Sequence, residues 1–329
     1  MMRSIFLISS VLSLFVNSLS AQSIKTLNKS GKISLRGLSV VNDHVIWVAG
    51  SKIGKSTDAG KTWEWITLGK YPNAEFRDIE AFSEDVAIIM SVGEPAYILK
   101  TIDGGNTWKE VYKNATKGMF LDAMDFADDV DGIVLGDPID GKFFLAKTID
   151  GGDTWLELNR FPKPDSTEAC FASSGTNIRV FNKDQIAFIT GGVVSNLILG
   201  REKKQKLPIL QGTSSTGANS IAIKDSLNYI VVGGDFTNTE AGPNCVITND
   251  GGKTWTFPEK GPEGYKSCVE YLYGDTWVCC GLTGVDISTD NGKTWKQISK
   301  DSYHTCRKAK NGNKVFLSGN ESRIGVLTE

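Results

Sequence analysis

One octapeptide constrains this chain more than any other feature. Ser-Thr-Asp-Ala-Gly-Lys-Thr-Trp begins at Ser56, and close variants begin at Thr101, Thr148, Thr248 and Ser288. In all five copies the Asp, the Gly two places later, the Thr four places later and the Trp five places later recur. The aspartates Asp58, Asp103, Asp150, Asp250 and Asp290 are separated by 45, 47, 100 and 40 residues. The long gap equals two periods, so a degenerate copy is expected near residue 200, where "SNLILGREKKQKLPIL" reads as strand, turn and strand. A period in the forties filled by short strands predicts a β-propeller.

One unit shows the layout. "RDIEAF" (77–82), "DVAIIMSVG" (85–93), "AYILKTI" (96–102) and "WKEVY" (108–112) are four strands rich in β-branched and aromatic residues. No long stretch has the 3.6-residue apolar period of a helix. Units begin near residues 35, 76, 120, 170, 218, 266 and 304, which makes seven. The last has only three strands before the chain stops, whereas "SIKTLNK" (23–29) is a strand without a partner. The expectation is an all-β, seven-bladed propeller of four-stranded antiparallel blades over residues 22–329. The N-terminal strand closes the ring by pairing with the C-terminal blade.

Within the box, the Asp is suited to accept backbone N–H bonds at a tight turn, and the Gly to supply positive φ. The indoles Trp63, Trp108, Trp155, Trp255 and Trp295 open fourth strands and read as packing groups. A turn repeated five times is expected to be architecture and not a reaction centre.

Residues 1–21 differ from the rest. Arg3 precedes an apolar run from Ile5 to Val16, followed by Ser18-Leu19-Ser20-Ala21. This pattern predicts a signal peptide cut after Ser20 or Ala21, with an uncleaved anchor as the alternative. Export to a periplasm or beyond is expected, with no membrane span in the mature chain. The chain carries 36 basic and 38 acidic residues without a long single-sign block, so nothing points to nucleic acid. Six cysteines lie at Cys170, Cys245, Cys268, Cys279, Cys280 and Cys306. Hairpin counting places Cys268 near Cys280, so buried thiols or one Cys268–Cys280 disulfide are expected. With no CxxC spacing and only His44 and His304, no metal is expected.

The pattern S/T-x-D-x-G-x-T-W resembles the Asp box, or BNR repeat, of sialidases, sortilin-like receptors and other propellers. In blade-length context, "RGLSVVNDHVIWVAGSKIGKSTDAGKTW", "FRDIEAF" and "GDPIDGKFFLAKTIDGGDTW" look like the photosystem II stability/assembly factor-like propellers (WD40/YVTN/BNR-like). The resemblance spans residues 23–329 and departs from the box pattern in the fourth blade. It implies a binding or assembly role, carries a loose oxidoreductase label and transfers no catalytic residue.

Function is expected at the channel face, where loops converge. First strands begin with polar residues: Arg36, Arg77, Asp78, Asp122, Lys266 and His304. Asp137, Asp140 and Asp235 join them from long second-to-third loops. The set reads as a pocket for a polar or anionic ligand, or as a solvated channel whose charges pair with one another. The "DFADDVDG" run (125–132) does not fit a calcium loop and reads as a turn. No dinucleotide or nucleophile-elbow motif appears, so no cofactor is expected. The leading expectation is a monomeric, non-catalytic module for a protein or glycan partner in the envelope or outside the cell. A sialidase-like glycoside hydrolase is the alternative, and it requires Arg36, Arg77 and Arg179 to converge.

Overall fold

The structure is a computed structural model, and it describes residues 22–29, 31–181, 185–240 and 242–328. The expected signal peptide, residues 1–21, lies outside the described residues. Seven antiparallel sheets form a ring, and each first strand lines the central channel. In the second blade the strands are Glu75–Ala81, Ala87–Val92, Ala96–Thr101 and Lys109–Asn114. The inner strands alternate apolar residues between the two faces of the sheet, and both faces are buried because a blade lies on either side. Hence Ile88 and Ile98 pack toward one neighbour and Ile89 and Leu99 toward the other.

Ring closure follows the expectation. Ser23–Asn28 pairs antiparallel with Ile324–Thr328 and becomes the outer strand of the last blade. The pairing ties the two chain ends together and covers an edge that would otherwise be open. The degenerate fourth blade keeps its third and fourth strands, Asn196–Leu199 and Lys203–Lys206, without a box between them. In the fifth blade the outer strand is reduced to the bridge between Ile247 and Thr256. The sole described helix is one 3-10 turn, Asn320–Ser322. No helix among the described residues is long and apolar enough to cross a membrane.

The five boxes share one geometry. The Asp accepts the Thr amide at 2.9–3.0 Å on one carboxylate oxygen. Its other oxygen accepts the Thr hydroxyl at 2.5–2.7 Å. The buried Ser or Thr that opens each box donates to the Asp at 2.7–2.9 Å and accepts the Gly amide at 2.8–3.0 Å. That opening hydroxyl had no role in the sequence reading, although its constancy as Ser or Thr was the available clue. The residue after the Asp donates to the first-to-second turn of its own blade, as Ala59 does to His44 and Gly104 to Asp85.

Each box also docks on the preceding blade. The box glycines Gly60, Gly105, Gly152, Gly252 and Gly292 all have φ between 79° and 91°. A Cβ added to any of them would come within 3.0 Å of Leu27, Ile66, Ile88, Leu197 or Ile230, respectively. All five of these side chains belong to the blade before. The indoles follow the same plan. Trp108 meets Trp47 of the first blade edge-on at 6.5 Å, and Trp295 is buried among Ile230, Val232 and Ile247 of the fifth blade. Trp63, Trp108 and Trp295 each donate from Nε1 to their box glycine's carbonyl at 3.0–3.1 Å, whereas Trp155 and Trp255 have no hydrogen-bond partner there.

Candidate functional site

The fourth blade does not begin near residue 170 as expected; its first strand is Ile178–Val180. Cys170–Asn177 instead crosses the channel, hydrogen-bonding to six blades and passing close against the second. Cys170 N–H donates to Asp137 of the third blade at 2.7 Å. Arg36, at the start of the first blade, donates to the Ser173 carbonyl at 3.1 Å. Ser174 Oγ donates to the Ser267 carbonyl of the sixth blade at 2.7 Å, and Thr176 Oγ1 to Ser220 Oγ of the fifth at 2.7 Å. Arg307 of the seventh blade holds the carbonyls of Ser174 and Gly175 at 3.3 and 3.1 Å. Ile189 N–H of the fourth blade donates to Asn177 O at 2.9 Å. Gly175 passes so close to Asp78 of the second blade that an added Cβ would overlap its carboxylate. Small polar residues suit this path, because their hydroxyls and backbone find partners on all sides.

The crossing segment splits the channel into two vestibules. The one on the box side holds about 440 Å³, and Arg179 and Lys310 in its wall are paired. Arg179 lies 3.6 Å from both Asp125 and Glu270, and Lys310 pairs with Glu80. Asp128 in the same region accepts the amides of Val130 and Asp131, as a turn residue does.

The loop-side vestibule holds about 460 Å³ and is lined by Arg36, Arg77, Asp137, Phe171, Phe236 and His304, among others. Arg77 pairs with Glu75 at 2.9 Å and lies 5.8 Å from the Phe120 ring centroid. Arg36 has no carboxylate within ion-pair distance among the described residues. Burial, and then the charge of Arg77, lower its pKa from the usual guanidinium value. His304 Nε2 sits 3.1 Å from Ser34 Oγ and 3.0 Å from Asn320 Oδ1. Its burial, reinforced by Arg36, drops it to about 4, so the imidazole is neutral at physiological pH. Tyr265 donates to Asn219 at 2.8 Å beneath the exposed edge of Phe236. Burial likewise raises Asp137.

Several expected ligand residues do not face this cup. Lys266 is wholly buried and forms a 2.7 Å ion pair with Asp286 of its own blade. Asp78 accepts the amides of Ile79 and Met124 at 2.9 and 2.7 Å, joining the second and third blades. Asp122 is buried, and its oxygens have no hydrogen-bond partner among the described residues. Burial, followed by the nearby charge of Asp137, pushes its carboxyl well above the ordinary range. Asp140 sits at a turn tip with φ 51°, and Asp235 is engaged with Thr237. Arg36, Arg77, Asp137 and His304 are therefore the expected residues that share one cavity. Arg179 opens onto the other mouth, so the three arginines a sialidase needs do not converge.

Of the two states expected for the cysteines, the structure has the buried thiols. Cys268 pairs in register with Cys280, but no disulfide joins them, and all six cysteines are buried thiols. Cys306 of the next blade brings a third sulfur to within 4.8 Å of both.

Among known proteins, the BNR/Asp-box repeat family matches residues 286–297. No curated protein matches the sequence. Solved structures share the ring. YCF48 bound to D1 peptide is 14% identical with a TM-score of 0.65, over 95% of this chain and 98% of that one. YCF48 from Cyanidioschyzon merolae is 14% identical with a TM-score of 0.62, over 92% and 98%. A catalytically inactive virginiamycin B lyase from Staphylococcus aureus with quinupristin is 13% identical with a TM-score of 0.70, over 94% and 100%. A peptide binder and a lyase thus share the ring, and the fold does not choose between such roles. With five box turns of one geometry and a closed ring, the chain is a seven-bladed β-propeller that carries a BNR/Asp-box repeat match at residues 286–297 and shares its fold with YCF48.

Proposed function

We propose that the protein is an exported binding module whose loop-side vestibule receives a segment of a partner polypeptide bearing an anionic group. One observation carries the reading: Arg36 lines an aromatic-edged cup and has, among the described residues, no carboxylate within ion-pair distance. A half-buried guanidinium already fixed on the Ser173 carbonyl is prepaid for a charge-assisted bond to a carboxylate. Phe236, 42% exposed, and Leu282, 39% exposed, supply apolar surface at the rim. That combination suits a peptide better than a free ion or a bare sugar. YCF48, which shares the ring, was solved with a peptide bound. Export rests on the pattern of residues 1–21, and N-terminal sequencing of the mature protein tests it. The expected first residue is Ala21 or Gln22.

The binding test compares capture of envelope proteins by the wild type and by Arg36→Ala, Phe236→Ala and Arg179→Ala. Removing one member of a desolvated charge pair costs about 2–5 kcal/mol, so Arg36→Ala should weaken capture at least about thirtyfold. Arg179→Ala, at the other mouth, should leave it unchanged. Equal capture by Arg36→Ala and wild type would refute the site. Turnover of a fluorogenic sialoside, lost in Arg77→Ala, would replace the binding reading with the hydrolase one.

A further inference from the structure

We propose that Cys268, Cys280 and Cys306 form a three-sulfur site for one Cu(I) ion, set in the channel wall between the sixth and seventh blades. All three are fully buried, and their sulfurs lie within 4.8 Å of one another. Cys268 and Cys306 are 3.7 Å apart. Three sulfurs each about 2.3 Å from one central metal stand roughly 4 Å from one another, so little movement separates this arrangement from a loaded one.

The surroundings of Cys268 point the same way. Its sulfur faces three donors, the Cys306 amide at 3.4 Å, Arg307 Nη1 at 3.6 Å and Thr305 Oγ1 at 3.7 Å, and the Thr176 hydroxyl, whose proton goes to Ser220, lies 3.8 Å away. As a thiol it can also reach the Cys306 carbonyl at 3.4 Å. Donors converging on one sulfur hold a metal-bound thiolate in place and offset its charge. Arg307 supplies a full positive charge, and Thr176 belongs to the segment that seals the channel. Among the described residues no fourth His, Cys, Asp or Glu joins the group. Zn(II) asks for a fourth ligand, whereas an all-sulfur, three-coordinate site suits soft Cu(I). Loading replaces three S–H bonds by three Cu–S bonds and releases three protons to solvent, with copper remaining Cu(I). The ligands come from three strands of two blades, which is why their spacing along the chain carries no metal motif.

The test is an anaerobic Cu(I) titration of the purified, reduced protein against bicinchoninate. One equivalent should leave the chelator and raise the thermal midpoint. Cys280→Ser and Cys306→Ser should each abolish both effects, whereas Cys245→Ser and Cys279→Ser should keep them. Thr305→Val, which keeps all three sulfurs, should weaken binding by about 10–100-fold and covers the case in which a cysteine variant fails to fold. The proposal falls if the wild type withdraws no copper, if Thr305→Val and Cys306→Ser bind as well as wild type, or if Zn(II) is held in preference. It falls equally if protein alkylated at lysis carries a disulfide at Cys268.

Discussion

Replacing Gly152 with alanine tests whether the box clasps the neighbouring blade. Gly152 has φ 82°, and an added methyl would overlap Ile88 Cδ1. Ile88 is fully buried in the second blade, so it has little room to turn away. Gly118 is the matched reference, with φ 84° and nothing within 4 Å of its added Cβ. Placing an L-residue in this left-handed region costs about 1–2 kcal/mol at either position. The gain from a stiffer unfolded chain, about 0.4–1 kcal/mol, is also common to both. Only Gly152→Ala carries the overpacking cost of about 1–3 kcal/mol. At about 2–4 °C per kcal/mol, it should melt about 2–12 °C below Gly118→Ala. Ile88→Val removes the clashing carbon and alone costs about 0.5–1.5 kcal/mol. In the double variant the two losses should fall short of their sum by about 1–3 kcal/mol. Urea unfolding of the four proteins of the cycle, with Gly118→Ala beside them, measures this. If Gly152→Ala is no worse than Gly118→Ala, or Ile88→Val gives no relief, the box does not dock where the structure places it.

Two further predictions concern charge. The Thr154 hydroxyl, then the Thr154 amide, hold Asp150 at about 2, below its unfolded value. Its contribution is therefore present above about pH 4 and lost as the pH falls toward 2. The gap in melting temperature between wild type and Asp150→Asn should be constant from pH 7 to about 4 and shrink below that. Lys266 and Asp286 form a buried pair at 2.7 Å. Asp286→Ala strands the ammonium and should cost about 3–5 kcal/mol in urea unfolding, whereas Lys266→Met with Asp286→Leu should cost less than that single change.

The ring was legible because its signals are local. Each box carries its own turn chemistry within eight residues, strand alternation marks the sheets, and Ser23–Asn28 was a strand with no neighbour in sequence. The channel was not legible, for the opposite reason. Cys170–Asn177 takes its partners from six separate blades, and nothing within the segment itself reveals them. Its run of small polar residues, Ser173-Ser174-Gly175-Thr176-Asn177, was the faint clue, since no turn there needed them. Lys266 and Asp78 illustrate a second limit. Both lie at the channel wall as their positions suggested, but their polar ends are spent on Asp286 and on the backbone of the third blade. Arg179 shows a third. A first strand runs from one mouth to the other, so its place along that strand put it beside Asp125 and Glu270, across the plug from Arg36.

The most direct measurement is site-specific photo-crosslinking in the cell envelope. Benzoylphenylalanine would replace Phe236 at the loop-side rim, Tyr271 at the opposite mouth or Trp108 in a box. The account predicts a crosslinked partner from position 236 alone. A partner trapped from position 271 or 108, with none from 236, would contradict it.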